Sequence, residues 1–463
     1  MRLSWDSLVT TERYQGGVYK LDTDARTEFE RDIDRIIFSS PFRRLKDKTQ
    51  LFPVPNSDFV HTRLTHSIEV ASIGRSLGKL AGKFILGRER VVDAWDPSTE
   101  IKADDFGCIV AAACCAHDIG NPPFGHSGEE AFRDFFDKRF KSDEFQKRYR
   151  LSHEEEEDFR NFEGNAEGFR ILTHDHPSGR PGGLKLTYTT LAAFTKYPKQ
   201  AGDVKLNETG KLCKERRSGK KHGFFQQEKE IFREIAGKLG LIMLSDGGDY
   251  WCRHPLAFLV EAADNISYLI MDLEDGHKLK LISTDDVVSL LRPIATQIPD
   301  DPCAIDDLEN IGNADEKVGA YRAKAINSLI YQCYEVFKIN YEDIMVAKYD
   351  GELTDSIKLS GELSAIKNAN NKFFSYDKVV QIESGGRHVI DGLLRIYFDA
   401  YMNMNKIYGR NLIDSLPRQF RILSGTPIYE ALLKISGYIS RMTDNFAINH
   451  YRVLTGHRLP EIQ

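Results

Sequence analysis

The chain has 463 residues, of which 69 are acidic and 63 basic, so its formal net charge is −6. This length allows a sizeable hydrophobic core, and the slight acidity argues against affinity of the whole chain for nucleic acid, though not against a local basic patch. No apolar stretch approaches the ~18–20 residues that cross a bilayer, and residues 1–15 lack the apolar core of a signal peptide. The seven scattered cysteines show no paired CxxC spacing, which suits a reducing cytosol. We therefore predict a cytoplasmic protein that does not associate with membranes.

Helical periodicity dominates the chain. In the first clear segment, 64–86, apolar residues recur at spacings of four, three and four, which predicts one buried helix face formed by Ile73, Leu77, Leu80 and Phe84. A second helix is predicted over 283–294, where Ser-Thr-Asp precedes an apolar run, and a third over 325–339. The best candidate strand is short, LKLTY at 184–188.

Three stretches are predicted to be loops or insertions. The acidic run 154–158 is expected to be solvated, residues 174–183 are rich in Gly and Pro, and residues 210–223 carry six Lys or Arg against one Glu. None of them resembles a domain boundary. Residues 1–463 are therefore predicted to form a single, mostly α-helical unit with inserted loops and a small β element.

The densest chemistry lies in AHDIGNPPFGHSGEEAF, residues 116–132. An apolar helical run ends there at His117 and Asp118, and Gly-Asn-Pro-Pro then breaks the helix. Adjacent His and Asp side chains at a helix end can converge on one divalent cation. An imidazole nitrogen and a carboxylate oxygen suit Mn, Fe, Co, Ni or Zn, and Mg where oxygens and water dominate.

Two further metal ligands are available on predicted helices. His66 lies on the helix 64–86, and Asp264 lies in the apolar segment 259–276. A carboxylate in such surroundings needs a partner, because burying an unpaired charge is costly. Each residue also has a structural interpretation, as a hydrogen-bonded core histidine and as a capping or Arg-paired aspartate. The ordered set across three helical segments favours a metal site.

His126 and Glu129 form a second candidate pair. Ser127 and Glu130 have the S-x-x-E spacing of a capping box, which predicts that a new helix starts there. His126 would then precede the helix, and the Glu129 carboxylate in its first turn would orient the imidazole and raise its pKa for proton transfer. In the alternative, structural interpretation Glu129 favours the positive helix N-terminus and His126 packs against the chain.

Longer segments around these residues resemble the HD-domain metal phosphohydrolase superfamily, and more narrowly the bacterial deoxyguanosine triphosphate triphosphohydrolases. The resemblance also includes the helix of Asp264, and it covers residues 29–276 well and the remainder patchily. The other segments that carry it are FERDIDRIIFSSPFRRLKDKTQLFP (29–53), DFVHTRLTHSIEVASIGRSLG (58–78), residues 116–132, NFEGNAEGFRIL (161–172), LKLTYTTLAAFTKYPK (184–199) and RMTDNFA (441–447).

The resemblance implies a fold and a reaction. Residues 58–276 would form an HD-domain helical core with the metal site, and residues 277–463 a helical part that completes the nucleotide pocket and the oligomer contacts. Water would attack the α-phosphorus of dGTP or another deoxynucleoside triphosphate (dNTP) and release the deoxynucleoside and inorganic tripolyphosphate.

The resemblance also implies roles for individual residues. One divalent ion, Mn²⁺ or Mg²⁺ with Fe, Co, Ni or Zn as alternatives, would be bound by His66, His117, Asp118 and Asp264. His126, supported by Glu129, would be the catalytic pair, as an acid for the leaving oxygen or as a residue that orients water. The substrate contacts would be Gln50 and Asp272 at the sugar 3′-hydroxyl, Tyr268 under the deoxyribose, and Arg63, Asn121, Lys196, Tyr197 and Lys221 at the phosphates.

Simple geometry agrees with several of these roles. Asp264, Tyr268 and Asp272 are spaced i, i+4 and i+8, so they line one helix face. Arg63 lies three residues before the first predicted metal ligand, and its planar fork suits phosphate oxygens. The basic segment 210–223 can supply further cations, although it also fits a solvated loop or a nucleic-acid patch.

Two rival functions remain open from the sequence. One is an HD-domain phosphohydrolase of another specificity, acting on monophosphates or cyclic nucleotides, and the other is a nucleotide-regulated protein that binds single-stranded DNA. Members of the resembled family are usually oligomers, often hexamers, and some need a nucleotide activator. The predicted partners are therefore a dNTP substrate, a nucleotide activator, single-stranded DNA and further copies of the chain. Residues 384–401 are a candidate lining of the base pocket.

Overall fold

The computed structural model describes residues 1–16, 25–50, 61–174, 182–297 and 308–458. Within these ranges the chain is mostly α-helical, as predicted, and its β structure is limited to isolated bridges, such as those of Lys199 with Tyr250 and Leu206 with Ser245. None of the helices in these ranges combines the length and the apolar character needed to span a membrane.

Most of the predicted metal and catalytic residues lie on, or directly after, helices in the first half of the chain. The helices of this half are α1 (Trp5–Leu8), α2 (Glu28–Ile37), α3 (Ser40–Arg44), α4 (Arg63–Leu86), α5 (Ala103–Ala116), α6 (Gly125–Phe140), α7 (Asp143–Arg148), α8 (His153–Arg160), α9 (Gly164–Thr173) and α10 (Tyr188–Phe194).

The second half of the chain contains the longest helices. They are α11 (Lys229–Lys238), α12 (Ala257–Lys278), α13 (Thr284–Ala295), α14 (Ala314–Ile339), α15 (Tyr341–Met345), α16 (Ser360–Asn371), α17 (Asp377–Met402), α18 (Ile407–Asp414), α19 (Ile428–Ser440) and α20 (Asp444–Leu454). Single 3₁₀ turns occur at Leu45–Asp47, Gly210–Leu212, Arg217–Gly219, Gln226–Glu228, Leu353–Ser356, Phe373–Ser375 and Arg418–Phe420.

The three predicted helices are present as α4, α13 and α14. Helix α13 is capped by the Ser283 side chain, as its sequence suggested, and α14 begins earlier than predicted, at Ala314. On α4 the buried apolar stripe consists of Val70, Ile73, Leu77, Ala81 and Ile85. The predicted positions Leu80 and Phe84 are only partly buried and pack at the edge of this stripe.

The prediction of a strand at 184–188 is wrong. Thr187 is instead the N-cap of α10, where its side chain accepts a hydrogen bond from the Thr190 amide. The Thr187 amide and hydroxyl both donate to the buried Asp32 carboxylate, the hydroxyl at 2.7 Å. Because Thr187 caps a helix and bonds a buried carboxylate, it does not belong to a strand. Among the described residues, its β structure is one isolated bridge, to Arg13.

The prediction of a solvated acidic loop at 154–158 is also wrong, because these residues belong to α8. A capping box between Ser152 and Glu155 starts the helix, and the acidic residues of its first turn suit the positive helix N-terminus. Asp158 is fully buried and accepts a 2.7 Å hydrogen bond from the Gln226 amide. The acidic run therefore contains the start of a helix and one buried carboxylate, Asp158, which a hydrogen bond holds in place.

The hydrophobic core has two main parts, and the segment with the predicted chemistry connects them. The first contains the buried faces of α4, α5 and α12. The second is rich in phenylalanine and contains the buried faces of α6, α17 and α19. The turn at 117–124 crosses from α5 to α6, so the predicted metal ligands and the predicted catalytic pair approach each other from opposite parts of the core.

Candidate active site

A cavity of about 450 Å³ gathers nearly all the predicted site residues. Its size lies in the range of small-molecule sites, roughly 300–1,000 Å³. All predicted site residues except Asp272 line it, namely Gln50, Arg63, His66, His117, Asp118, Asn121, His126, Glu129, Lys196, Tyr197, Lys221, Asp264 and Tyr268. Residues that are far apart in the sequence are thus brought to one place by α4, α6, α12 and their connecting turns.

His117 has the geometry of a metal ligand. It is the C-cap of α5, and its Nδ1 lies 2.7 Å from the backbone carbonyl of Cys114. Because a carbonyl only accepts hydrogen bonds, Nδ1 carries the proton and Nε2 keeps a free electron pair. His117 Nε2 is buried and has no hydrogen-bond partner among the described residues. A buried nitrogen with a fixed tautomer and no partner fits a bound cation.

Three donor residues converge around this nitrogen. Asp264 Oδ1 lies 3.4 Å from His117 Nε2 and 3.2 Å from His66 Nε2. His66, His117 and Asp264 each offer an atom within 4.8 Å of the others, so this group could hold a metal ion. Asp118 adds a carboxylate whose Oδ1 lies 3.5 Å from His117 Nε2. Two imidazoles and two carboxylates suit a divalent transition metal.

The Asp118 carboxylate is held from two sides. Arg63 donates to its Oδ2 at 2.5 Å, and the Asn121 amide donates to its Oδ1 at 2.5 Å. Burial acts to raise the pKa of Asp118, but the Arg63 guanidinium lowers it well below its usual range. Asp118 is therefore an anion, as a metal ligand must be.

His126 and Glu129 are in contact, but the helix that carries them starts earlier than predicted. Helix α6 begins at Gly125, after Phe124 in the left-handed conformation, so Ser127 lies inside the helix and forms no capping box. This correction moves His126 into the first turn of α6 and Glu129 into the second. Gly125 also has a positive φ, and a Cβ there would lie 2.7 Å from the Arg63 guanidinium.

The contact fixes the protonation of His126. Its Nδ1 lies 3.2 Å from Glu129 Oε2, and Glu129 Oε1 accepts a 2.8 Å hydrogen bond from the Gly164 amide. The hydrogen bond to Glu129 raises the pKa of His126, outweighing the positive charges of Lys221 and Arg63, which act to lower it. Glu129 is buried, whereas the His126 side chain is 89% exposed at the cavity.

Two lysines of the cavity are each paired with a buried carboxylate. Lys196 Nζ lies 3.1 Å from Glu261, and Lys221 Nζ donates to Glu163 at 2.9 Å. Burial acts to lower the pKa of both lysines, but Glu261 and Glu163 more than compensate and raise it. Both ammonium groups are therefore charged, and the Lys196 Nζ lies 5.6 Å from the centre of the Tyr197 ring.

Gln50 and Asp272 each contain an unpaired buried oxygen. Gln50 Oε1 and Asp272 Oδ2 have no hydrogen-bond partner among the described residues. Asp272 lies on α12 beside Tyr268 and does not itself line the cavity. Burial, followed by the nearby Asp275 carboxylate, raises the pKa of Asp272 well above its usual range, which favours the protonated form.

Comparisons with known proteins agree with this geometry. Residues 63–183 match the model of the HD domain. A Synechocystis protein named deoxyguanosinetriphosphate triphosphohydrolase-like protein is 39% identical over 98% of this chain and 99% of its own length. A Pseudomonas aeruginosa protein of the same name is 36% identical over 99% of this chain and all of its own. The chain belongs to the deoxyguanosinetriphosphate triphosphohydrolase family of HD-domain enzymes.

A more distant relative is the deoxyguanosinetriphosphate triphosphohydrolase of Cronobacter sakazakii. It is 29% identical over 92% of this chain and 93% of its own length. The similarity therefore extends through residues 277–463, where the motifs suggested only a patchy resemblance. The chain is an enzyme of this family.

The basic segment 210–223 contributes less to the site than its composition suggests. Arg216 donates to the carbonyls of Gly210 and Ala347, and Arg217 pairs with Asp355 at 2.6 Å. Among the Lys and Arg residues of the segment, only Lys221 lines the cavity. The two arginines therefore have structural contacts, and the nucleic-acid patch remains a prediction.

Several cavity residues had no signal of their own in the sequence pattern. Glu261 lies three residues before Asp264 and accepts from the buried Arg253 at 2.6 Å. Asn265 follows Asp264 and donates to Thr354 at 3.1 Å, so it ties the cavity wall to the 3₁₀ turn Leu353–Ser356. Asn165 donates weakly to Glu163. For Glu261 and Asn265, the clue in the sequence was that they lie close to Asp264, a predicted metal ligand.

Proposed function

We propose that this enzyme hydrolyses dGTP, or another dNTP, to the deoxynucleoside and inorganic tripolyphosphate, with one divalent metal ion, Mn²⁺ or Mg²⁺. The observation that supports this most strongly is the buried Nε2 of His117, which has no hydrogen-bond partner in the described part of the chain and lies beside the His66 imidazole and the Asp264 carboxylate. The same cavity holds Arg63 and Lys196, which suit a triphosphate. The proposed metal ligands and the proposed phosphate-binding groups therefore line the same cavity.

The metal would be held by His66, His117, Asp118 and Asp264. When bound, such an ion polarises a phosphoryl oxygen and neutralises charge that develops during attack by water. Arg63 and Asn121 hold the Asp118 carboxylate in a fixed orientation. Outer-sphere hydrogen bonds of this kind align metal ligands and adjust their basicity.

Three cations would bind the triphosphate. A triphosphate carries about four negative charges near neutral pH, and charge-assisted hydrogen bonds to phosphate are strong. Arg63, Lys196 and Lys221 face the cavity, and the carboxylates behind the two lysines keep both of them protonated. Asn121 and Tyr197 would complete the phosphate contacts with neutral donors.

His126 would act as a general acid. Its Nδ1 faces Glu129, which leaves Nε2 free to face the cavity. The raised pKa of His126 favours the imidazolium, which can donate a proton to the leaving 5′-oxygen. Water attack on the α-phosphorus would break the bond between phosphorus and the 5′-oxygen, and the proton from His126 would complete the 5′-hydroxyl of the deoxynucleoside.

The sugar would be bound by the face of α12 beside the metal ligands. Tyr268 would pack under the deoxyribose, and the unpaired oxygens of Gln50 and Asp272 would bind its 3′-hydroxyl. A buried polar atom left without a partner costs ~1–3 kcal/mol, so a ligand that supplies the missing partner gains that much.

The experiment that tests this function compares dGTP with its 2′,3′-dideoxy analogue, ddGTP, with dGMP and with a 3′,5′-cyclic nucleotide. We expect deoxyguanosine from dGTP and no turnover of dGMP or the cyclic nucleotide. ddGTP should show a kcat/KM lower by about 10-fold or more, because it leaves the oxygens of Gln50 and Asp272 unpaired. Chromatography of the products measures all four rates, as the nucleoside from dGTP, ddGTP and dGMP and as the nucleoside monophosphate from the cyclic nucleotide.

The Gln50→Ala variant provides the internal control. It should lower kcat/KM for dGTP towards the value for ddGTP and change the value for ddGTP little, because the lost contact requires the 3′-hydroxyl. Equal losses with both substrates would exclude Gln50 as a 3′-hydroxyl ligand. Hydrolysis of dGMP or the cyclic nucleotide in preference to dGTP would favour the rival HD phosphohydrolase.

A further inference from the structure

The turn between α19 and α20 contacts the active site from the far end of the sequence. Residues 441–447 carry the part of the family resemblance most remote from the HD core, and the proposed chemistry uses none of them. Asp444 in this turn is only 7% exposed. Its carboxylate points towards two segments that line the cavity, and these contacts suggest a role beyond packing.

Asp444 bonds to both segments at once. Its Oδ1 accepts a 3.0 Å hydrogen bond from the Phe124 amide, two residues before His126. Its Oδ2 accepts from the Thr49 amide at 3.1 Å and from the Thr49 hydroxyl at 2.8 Å. Thr49 directly precedes Gln50. A single carboxylate therefore fixes the backbone next to the proposed proton donor and next to the proposed 3′-hydroxyl ligand.

Phe124 needs such a contact. Its φ is +62°, in the left-handed region that residues other than glycine rarely occupy, and it is the N-cap of α6 without a side-chain cap. A conformation of this kind costs of order 1–3 kcal/mol and persists only where surrounding contacts hold it. The charge-assisted hydrogen bond to Asp444 is such a contact. It thereby fixes where α6 starts and hence where His126 and Glu129 lie.

Lys48 provides a second link at the same place. Its side chain is buried, and Nζ donates to the carbonyl of Asn121 and, at 2.9 Å, to the carbonyl of Ser440. Asn121 in turn donates to the Asp118 carboxylate. The end of α19, the segment 48–50 and the turn 121–124 are thus joined by hydrogen bonds around two buried ionisable side chains, Lys48 and Asp444.

The contacts of Asp444 are not those of an ordinary helix cap. Thr443 already caps α20, because its hydroxyl accepts from the Phe446 amide at 3.3 Å. An acidic residue in the first turn of a helix gains from the helix dipole without contacting anything else. Among the described residues, the Asp444 carboxylate instead accepts hydrogen bonds from Thr49 and Phe124.

We propose that Asp444 is a positioning residue for hydrolysis, which aligns the His126 helix and the Gln50 segment with each other. This inference rests on the proposed function, because it assigns Asp444 to the reaction that His126 and Gln50 serve. The last two helices of the chain then have a role in catalysis through this turn, even though no residue of the turn touches the substrate.

The test uses the full-length Asp444→Ala and Asp444→Asn variants, with Asp414→Ala, an exposed carboxylate of the same region, as the matched control. The Ala variant should lower kcat for dGTP by about 10-fold to 100-fold, the scale expected for a small misplacement of reacting groups. It should also reduce the preference for dGTP over ddGTP, because Gln50 loses its anchor. The Asn variant keeps one acceptor oxygen, so its kcat and its dGTP preference should lie between those of the wild type and the Ala variant. Asp414→Ala should have the wild-type kcat and preference.

Two further readouts separate positioning from folding. Bound metal per chain should be unchanged in both Asp444 variants, and hydrogen–deuterium exchange of the peptide with Phe124 should become faster. A merely structural role would lower the yield of folded protein and leave the dGTP/ddGTP preference of the folded fraction unchanged. If Asp444→Ala does not fold, the near-isosteric Asn variant supplies the same comparison.

The possible outcomes separate this inference from the proposed function. Wild-type kcat, wild-type preference and wild-type exchange at Phe124 in an Asp444 variant would overturn the positioning role. A wild-type enzyme that fails to hydrolyse dGTP would overturn the proposed function and with it the catalytic role of Asp444. The exchange experiment would then still show whether Asp444 holds the start of α6.

Discussion

The His117→Ala variant is expected to lose both the bound metal and the hydrolase activity. His117 is the one imidazole whose tautomer is fixed by a backbone carbonyl and whose second nitrogen is buried without a partner among the described residues. Changes to residues that only support a metal ligand cost roughly 10–100-fold in affinity, so removal of a ligand itself should cost more. Elemental analysis of the purified variant gives metal per chain, and the dGTP assay gives activity.

The matched control is His153→Ala, which replaces an exposed histidine at the start of α8. It should retain wild-type metal content and activity. Chelation of the wild-type enzyme should abolish turnover, and added Mn²⁺ or Mg²⁺ should restore it, whereas the His117 variant should recover little at the same concentration. Full metal content in the His117 variant would show that the metal site lies elsewhere.

The His126→Ala variant should lower kcat by about 10²–10⁴-fold, the usual contribution of a positioned acid or base, and should leave bound metal unchanged. His126 lies at the cavity but outside the group of residues that could hold a metal. A parallel loss of metal would make His126 a ligand and would contradict the assignment. Unchanged kcat would exclude it from proton transfer.

The pH profile of the same pair tests which way the proton moves. Glu129 raises the pKa of His126, so the imidazolium persists to higher pH than in an ordinary histidine, and kcat should fall as pH rises through that raised pKa. Glu129→Gln keeps an oxygen for the Gly164 amide but removes the charge. It should lower the pKa of His126 towards the ordinary value of about 6.5 and so move the alkaline decline to lower pH. A rise of kcat with pH through this range would make His126 a base.

Much of the site was predictable because it depends on local spacing and on segments with a strong resemblance to a family. The i, i+4, i+8 row of Asp264, Tyr268 and Asp272 needs only a helix, and α12 supplies it. His117 and Asp118 needed only a helix end, and α5 ends there. The roles proposed for these residues remain predictions, whereas their arrangement around one cavity is observed for all but Asp272.

The features that were not predictable depend on contacts between residues distant in sequence. The start of α6 at Gly125 follows from the left-handed Phe124, whose amide bonds to Asp444 more than three hundred residues later. The acidic run in α8 appeared solvated because burial of Asp158 by the Gln226 amide has no local signal. The pairing of Lys221 with Glu163 likewise joins two segments whose charges alone suggested only solvation or phosphate binding.

The measurement that tests the central claim most directly is ³¹P NMR of the products formed from dGTP in water enriched in ¹⁸O. Attack of water at the α-phosphorus should give inorganic tripolyphosphate with ¹⁸O on a terminal phosphorus and deoxyguanosine without the label. Unlabelled tripolyphosphate, with the label in the 5′-hydroxyl of deoxyguanosine by mass spectrometry, would place the attack at carbon instead. Orthophosphate with dGDP, or pyrophosphate with dGMP, would contradict the triphosphohydrolase reaction altogether.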